Sequence, residues 1–92
     1  MEQILTLFKI DLGITHTLRD EFFTALLKAC KTEIEAKGIT LDLTNSVEDQ
    51  MLLSDYAAWK YRKRQEDIGL SRNLDFRIKN RIVKERAKYV GT

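Results

Sequence analysis

The 92-residue chain has no proline, four glycines, one cysteine and one histidine. The lack of proline and scarcity of glycine disfavour a turn-rich β architecture and favour long uninterrupted helices. A lone cysteine, Cys30, cannot close an internal disulfide, which excludes a disulfide framework. No apolar run approaches the ~18 residues of a membrane span. The N-terminus begins Met1-Glu2 and lacks the basic region and long apolar stretch of a signal peptide, so a reducing cytoplasmic origin is expected. Catalytic signatures are absent too: there is no Gly-rich phosphate loop and no Ser/His/Asp pattern.

His16 stands in a Thr-rich turn without the partners that a general base or metal ligand needs, and reads as a solvent-facing turn residue. Cys30 falls on an apolar helical stripe, where a cysteine acts as a small hydrophobe. These features predict no catalytic residue, no metal ligand and no cofactor site. The protein is therefore expected to work through its surfaces and not as an enzyme.

What the chain does have is helical periodicity. Ile4, Leu5, Phe8 and Leu12 recur at helical spacing over Glu2–Leu12, and Gly13 ends the pattern. Thr17 reads as the N-cap of a second helix over 18–37, with Asp20 and Glu21 in its first turn and Gly38 after its end. Phe23, Leu27, Cys30 and Ile34 form its stripe, widened by Phe22 and Leu26.

Residues 39–44 alternate apolar and polar, as a short strand or an extended connector would. No second strand is visible to pair with them, so any pairing would involve a neighbouring subunit. Asn45 or Ser46 caps a third helix whose apolar positions are Val47, Met51, Leu52, Tyr56 and Trp59. Tyr56 and Trp59 read as core, whereas Tyr61 faces away from that stripe as an interface anchor. A break near Gly69 separates this helix from a fourth, capped by Ser71 and running over 72–88, with Leu74, Ile78 and Ile82 as its stripe and Phe76 and Val83 flanking. Residues 89–92 read as a frayed, flexible tail. The whole is one all-α domain over 1–92: a compact bundle of about four helices with one short extended segment.

Charge is unevenly spread. Residues 1–50 carry five Lys/Arg against nine Asp/Glu, a balance of −4, whereas 51–92 carry eleven against five, a balance of +6. Such asymmetry suits a polar partner surface, or head-to-tail contact between copies of one subunit. Basic residues along one helix also permit phosphate binding, and a helix–turn–helix reader would use the fourth helix for recognition. Asn73 is the only side chain near the start of that helix suited to a bidentate contact with adenine.

The run Leu52-Leu-Ser-Asp-Tyr-Ala-Ala-Trp-Lys-Tyr-Arg62, followed by Leu74-Asp-Phe-Arg-Ile-Lys-Asn-Arg-Ile82, resembles the small head–tail connector (adaptor) proteins of tailed bacteriophages and prophages. The likeness extends to the opening ILTLFKIDLGI and to the helix ending in EIEAKGI, and covers nearly the whole chain in order. It implies a helical subunit that assembles with copies of itself, about twelve-fold, into a ring beneath the portal protein. Such a ring extends the DNA channel at the head–tail junction of the virion, after assembly in the bacterial host cytoplasm. It also offers a platform for a downstream stopper or tail-completion protein.

DNA would pass through the channel without tight binding, and no membrane is involved. Basic residues are then expected to face neighbouring subunits or the portal. Arg77, Arg81 and Lys84, three or four apart, would form one contact row, with Tyr61, Arg62 and Arg64 as further interface residues. The alternative reading is a small helix–turn–helix-like DNA-binding protein.

Overall fold

The computed structural model describes residues 2–64 and 69–90. It has four helices in the order α1 (Glu2–Leu12), α2 (Asp20–Glu35), α3 (Val47–Lys63) and α4 (Arg72–Val90), and no strand among the described residues. The protein is all-helical, as its sequence predicts. The expected break near Gly69 is present, with residues 69–71 non-helical between α3 and α4; residues 65–68 lie outside the described residues, as do 91–92 of the tail, while α4 itself continues to Val90.

Local chemistry sets most helix ends. After α1, the Gly13 amide donates to Ile10 O and the Ile14 amide to Lys9 O, a Schellman closure with Gly13 at φ +73°. Ser46 caps α3, its side chain accepting from the Asp49 amide at 3.2 Å. Ser71 does the same for α4 through the Leu74 amide at 3.1 Å. The second helix departs from expectation. It begins at Asp20 behind Arg19, which makes no side-chain cap, and Thr17 contributes only its carbonyl, to the Asp20 amide.

The core gathers Ile4 and Phe8 from α1, Phe23, Leu27, Cys30 and Ile34 from α2, Leu53, Tyr56 and Ala57 from α3, and Leu74 and Ile78 from α4. Helix α3 touches all three other helices and is buried around most of its circumference. Ala57 and Ala58 keep its surface low where neighbours approach. This is why a one-stripe reading of α3 misplaces residues. Val47 and Met51, expected on its buried side, are 68% and 42% exposed, while Asp49 and Ser54 are buried.

Residues 39–42 form a connector that is neither helix nor strand and leads into a turn over 43–45, with Ile39 and Leu41 turned into the core and Thr40 and Asp42 outward. Side chains from the rest of the subunit bond several of its backbone groups. The Leu41 amide donates to Glu35 Oε2 at 3.3 Å and the Asp42 amide to Asp49 Oδ2 at 2.7 Å. Gln50 Nε2 donates to Leu43 O at 2.8 Å, and Arg81 donates to Thr40 O at the same distance. These groups are engaged inside the subunit. Among the described residues no helix is long and apolar enough to cross a membrane.

Candidate interaction surface

Helix α4 docks on α3 through a narrow side. Leu74 and Ile78 are buried there, with Ile82 half-buried beside them. One turn further on, the docking face becomes ionic. Arg81 lies 3.2 Å from Asp49 and 3.0 Å from Glu85, and both carboxylates are almost completely buried. One guanidinium thus bridges two carboxylates and the Thr40 carbonyl, tying α4, α3 and the connector together. Guanidinium geometry suits this, because its donors are fixed in a fork. The pairing of Arg81 with Asp49 and Glu85 was not legible as such, since charged residues read as solvent-facing. The available signal was register: Arg81 and Glu85 fall on the same turn-by-turn face as Leu74 and Ile78.

Arg77 also turns inward, 2.7 Å from Asp55 of α3, in a pair about one-third exposed on each side. So Arg77 and Arg81, expected to reach a neighbouring subunit or the portal, are engaged within their own subunit. Lys84, the third member of that row, is exposed. The row is not a single surface feature, because its three residues wrap from the docking side toward solvent.

Tyr61 is placed differently from its expected role as an outward anchor. It is half-buried in an aromatic cluster, with ring centroids 5.5 Å from Phe23 and 6.4 Å from both Phe8 and Phe22. Arg19 lies over Phe22 at 4.6 Å and donates to the Tyr61 hydroxyl at 3.3 Å. The residue faces away from Tyr56 and Trp59 as expected, yet meets α1 and α2 there because α3 is central. Arg64 is exposed and covers Phe22 from the other end at 4.7 Å.

Arg62 is exposed and lines a shallow open groove with Asp11, Asp55, Trp59, Asn73 and Arg77. Lys63 lies over the half-buried Trp59 at 5.1 Å, and Lys60 pairs with Glu33 of α2 at 2.8 Å. That hydrogen bond to Glu33 raises the Lys60 pKa above its ordinary value. Burial pushes the Cys30 thiol up to about 12, with Glu33 adding to the effect. Such a thiol stays protonated and unreactive. His16 is exposed in the turn before α2. Among the described residues, no group of three or more His, Cys, Asp or Glu is placed to hold a metal ion.

No family model, curated protein or solved structure matches the chain. The surface itself therefore carries the functional reading. Its least expected feature is apolar. Phe76 and Val83, expected beside the α4 stripe, are 68% and 63% exposed and project on the side of α4 opposite its docking face. A second exposed apolar strip runs between α1 and α3, where Leu7, Ile10 and Met51 line a groove beside Asp11 and Asp55. Of these residues, periodicity had placed Met51 on the apolar face of α3 and Phe76 and Val83 beside the α4 stripe, because it does not register how many neighbours each helix has.

Proposed function

We propose that this chain is a structural subunit of a phage or prophage head–tail connector. In this reading copies assemble into a ring beneath the portal, extend the DNA channel and receive the next connector or tail-completion protein. The reading is carried by the two segments that bear the resemblance, Leu52–Arg62 and Leu74–Ile82. They lie on α3 and α4, share one buried cluster and are bridged by Arg77 and Asp55. This α3–α4 unit gives the subunit a braced platform while leaving apolar and basic positions of α4 outside.

Engagement of Arg77 and Arg81 with Asp55, Asp49 and Glu85 also suits a channel protein. Cations held by internal carboxylates offer less to phosphates sliding past, so they resist the salt-dependent binding that would hinder DNA passage.

A second reading retains one specific observation. Arg72 and Asn73 are exposed in the first turn of α4, where a recognition helix would contact base edges. Sedimentation velocity with a labelled short duplex, across a salt series, separates the two. The connector reading expects self-association with the duplex sedimenting free. Tight duplex binding that weakens steeply with salt, by a chain that remains monomeric, favours the DNA-binding reading.

A further inference from the structure

Two exposed apolar strips of opposite electrostatic character remain on this subunit. The first is the α1–α3 groove with Leu7, Ile10 and Met51 along its floor. Its rims are acidic. Asp11 lines one side, and Glu48 and Asp55, seven residues apart on α3, bracket Met51 on the other. Asp55 is occupied by Arg77, whereas exposed Asp11 and Glu48 make no ion pair among the described residues.

The second strip is the outer side of α4. Phe76 and Val83 are seven residues apart, so they stand about 10 Å from each other on one line of the helix. Arg72, Lys79 and Arg86 recur at the same interval along one flank, and Lys84 lies on the other. Lys79 is held by Asp75 within α4 at 2.9 Å, but Arg72, Lys84 and Arg86 make no ion pair among the described residues. An apolar ridge edged by cations is thus set against an apolar groove edged by anions. Neither strip complements itself, because each would bring like charges together across a two-fold axis.

We infer that the α4 ridge of one copy seats in the α1–α3 groove of the next, with Phe76 and Val83 against Ile10 and Met51. The contact is head-to-tail: each copy donates a ridge and accepts one in its groove. Arg72 and Arg86 meet the acidic rim of Asp11 and Glu48. A contact of this kind repeats until it closes on itself or grows as a filament. It rests on the connector reading only in taking a second copy of this chain as the occupant.

Charge complementation tests it. One variant carries Asp11→Lys and Glu48→Lys, which makes its groove basic while its ridge stays basic. The other carries Arg72→Glu and Arg86→Glu, which makes its ridge acidic while its groove stays acidic. All four side chains are exposed, and circular dichroism melts near wild type verify that both variants fold. Each variant alone is expected to shift the concentration for half-assembly upward about ten-fold or more, since like charges face each other at every contact.

An equimolar mixture is expected to assemble again, because every groove then finds an opposite ridge on the other variant. Sedimentation velocity reads all three samples. Wild-type oligomers that persist unchanged in both variants overturn this pairing of faces and leave ring assembly intact. Unlimited filaments on mixing support the pairing and count against a closed ring. A mixture no larger than its separate components, or a wild type that is monomeric at every concentration, overturns the inference.

Discussion

Arg81 of α4 reaches Asp49 of α3 at 3.2 Å, with side-chain exposures of 17% and 2%. The same guanidinium holds Glu85 and the Thr40 carbonyl, so the fourth helix is fastened to the body by charge where its apolar stripe gives out. Replacing Arg81 with Ala leaves two buried carboxylates without their shared cation. The expected cost is about 3–5 kcal/mol, a large part of the ~5–15 kcal/mol that holds a small domain together. Urea denaturation measures it. Arg81→Lys is expected to recover little, since an ammonium cannot reproduce the fork that spans three acceptors.

Arg77 provides the contrast. Its pair with Asp55 is shorter, at 2.7 Å, yet both side chains are about one-third exposed. Solvent screening outweighs distance here, so Arg77→Ala is expected to cost less than about 1 kcal/mol. Equal losses in the two variants would show that burial is not what sets the value of these contacts.

Tyr61 separates ring from hydroxyl. Its ring is packed among Phe8, Phe22 and Phe23, whereas among the described residues its hydroxyl bonds only the exposed Arg19, at 3.3 Å. Tyr61→Phe is therefore expected to be near neutral, and Tyr61→Ala to cost about 2–3 kcal/mol as a partly buried aromatic truncation. Thermal melts of both variants check the difference. A Tyr61→Ala variant with unchanged stability but lost assembly would return this residue to the interface.

Alkaline pH is expected to destabilise the fold. Cys30, Tyr56 and Lys60 all bind their protons more tightly folded than free, Cys30 and Tyr56 chiefly through burial and Lys60 through its bond to Glu33. Their contributions are fully present below the ordinary values of 9.0, 10.0 and 10.5 and are lost as pH rises through the raised ones. For Cys30 the window runs from 9.0 to about 12. One group retaining its proton there gives a slope of about 1.4 kcal/mol per pH unit. Cys30→Ala should flatten the stability curve above pH 9.0, and a thiol reagent should label wild type only after unfolding.

Helices were the legible part of this sequence. Gly13, Ser46 and Ser71 mark boundaries through local chemistry, and Phe23, Leu27, Cys30 and Ile34 keep a clean 3.6-residue period. Thr17 misled because a capping residue type is necessary but not sufficient: the chain turns once more before α2 begins. The interaction surface was much less legible. Periodicity identifies a stripe but not how many neighbours a helix has, so central α3 half-buries Tyr61 among aromatic rings while peripheral α4 exposes Phe76 and Val83. Charge counting likewise missed that Arg81 pairs with two buried carboxylates, Asp49 and Glu85.

Negative-stain electron microscopy of the concentrated protein, alone and with a short duplex, tests the connector reading most directly. The expected images are rings of uniform copy number whose central hole is wide enough to pass a DNA duplex, unchanged when duplex is added. Small particles without a hole, combined with salt-sensitive duplex binding by the monomer, would contradict the account.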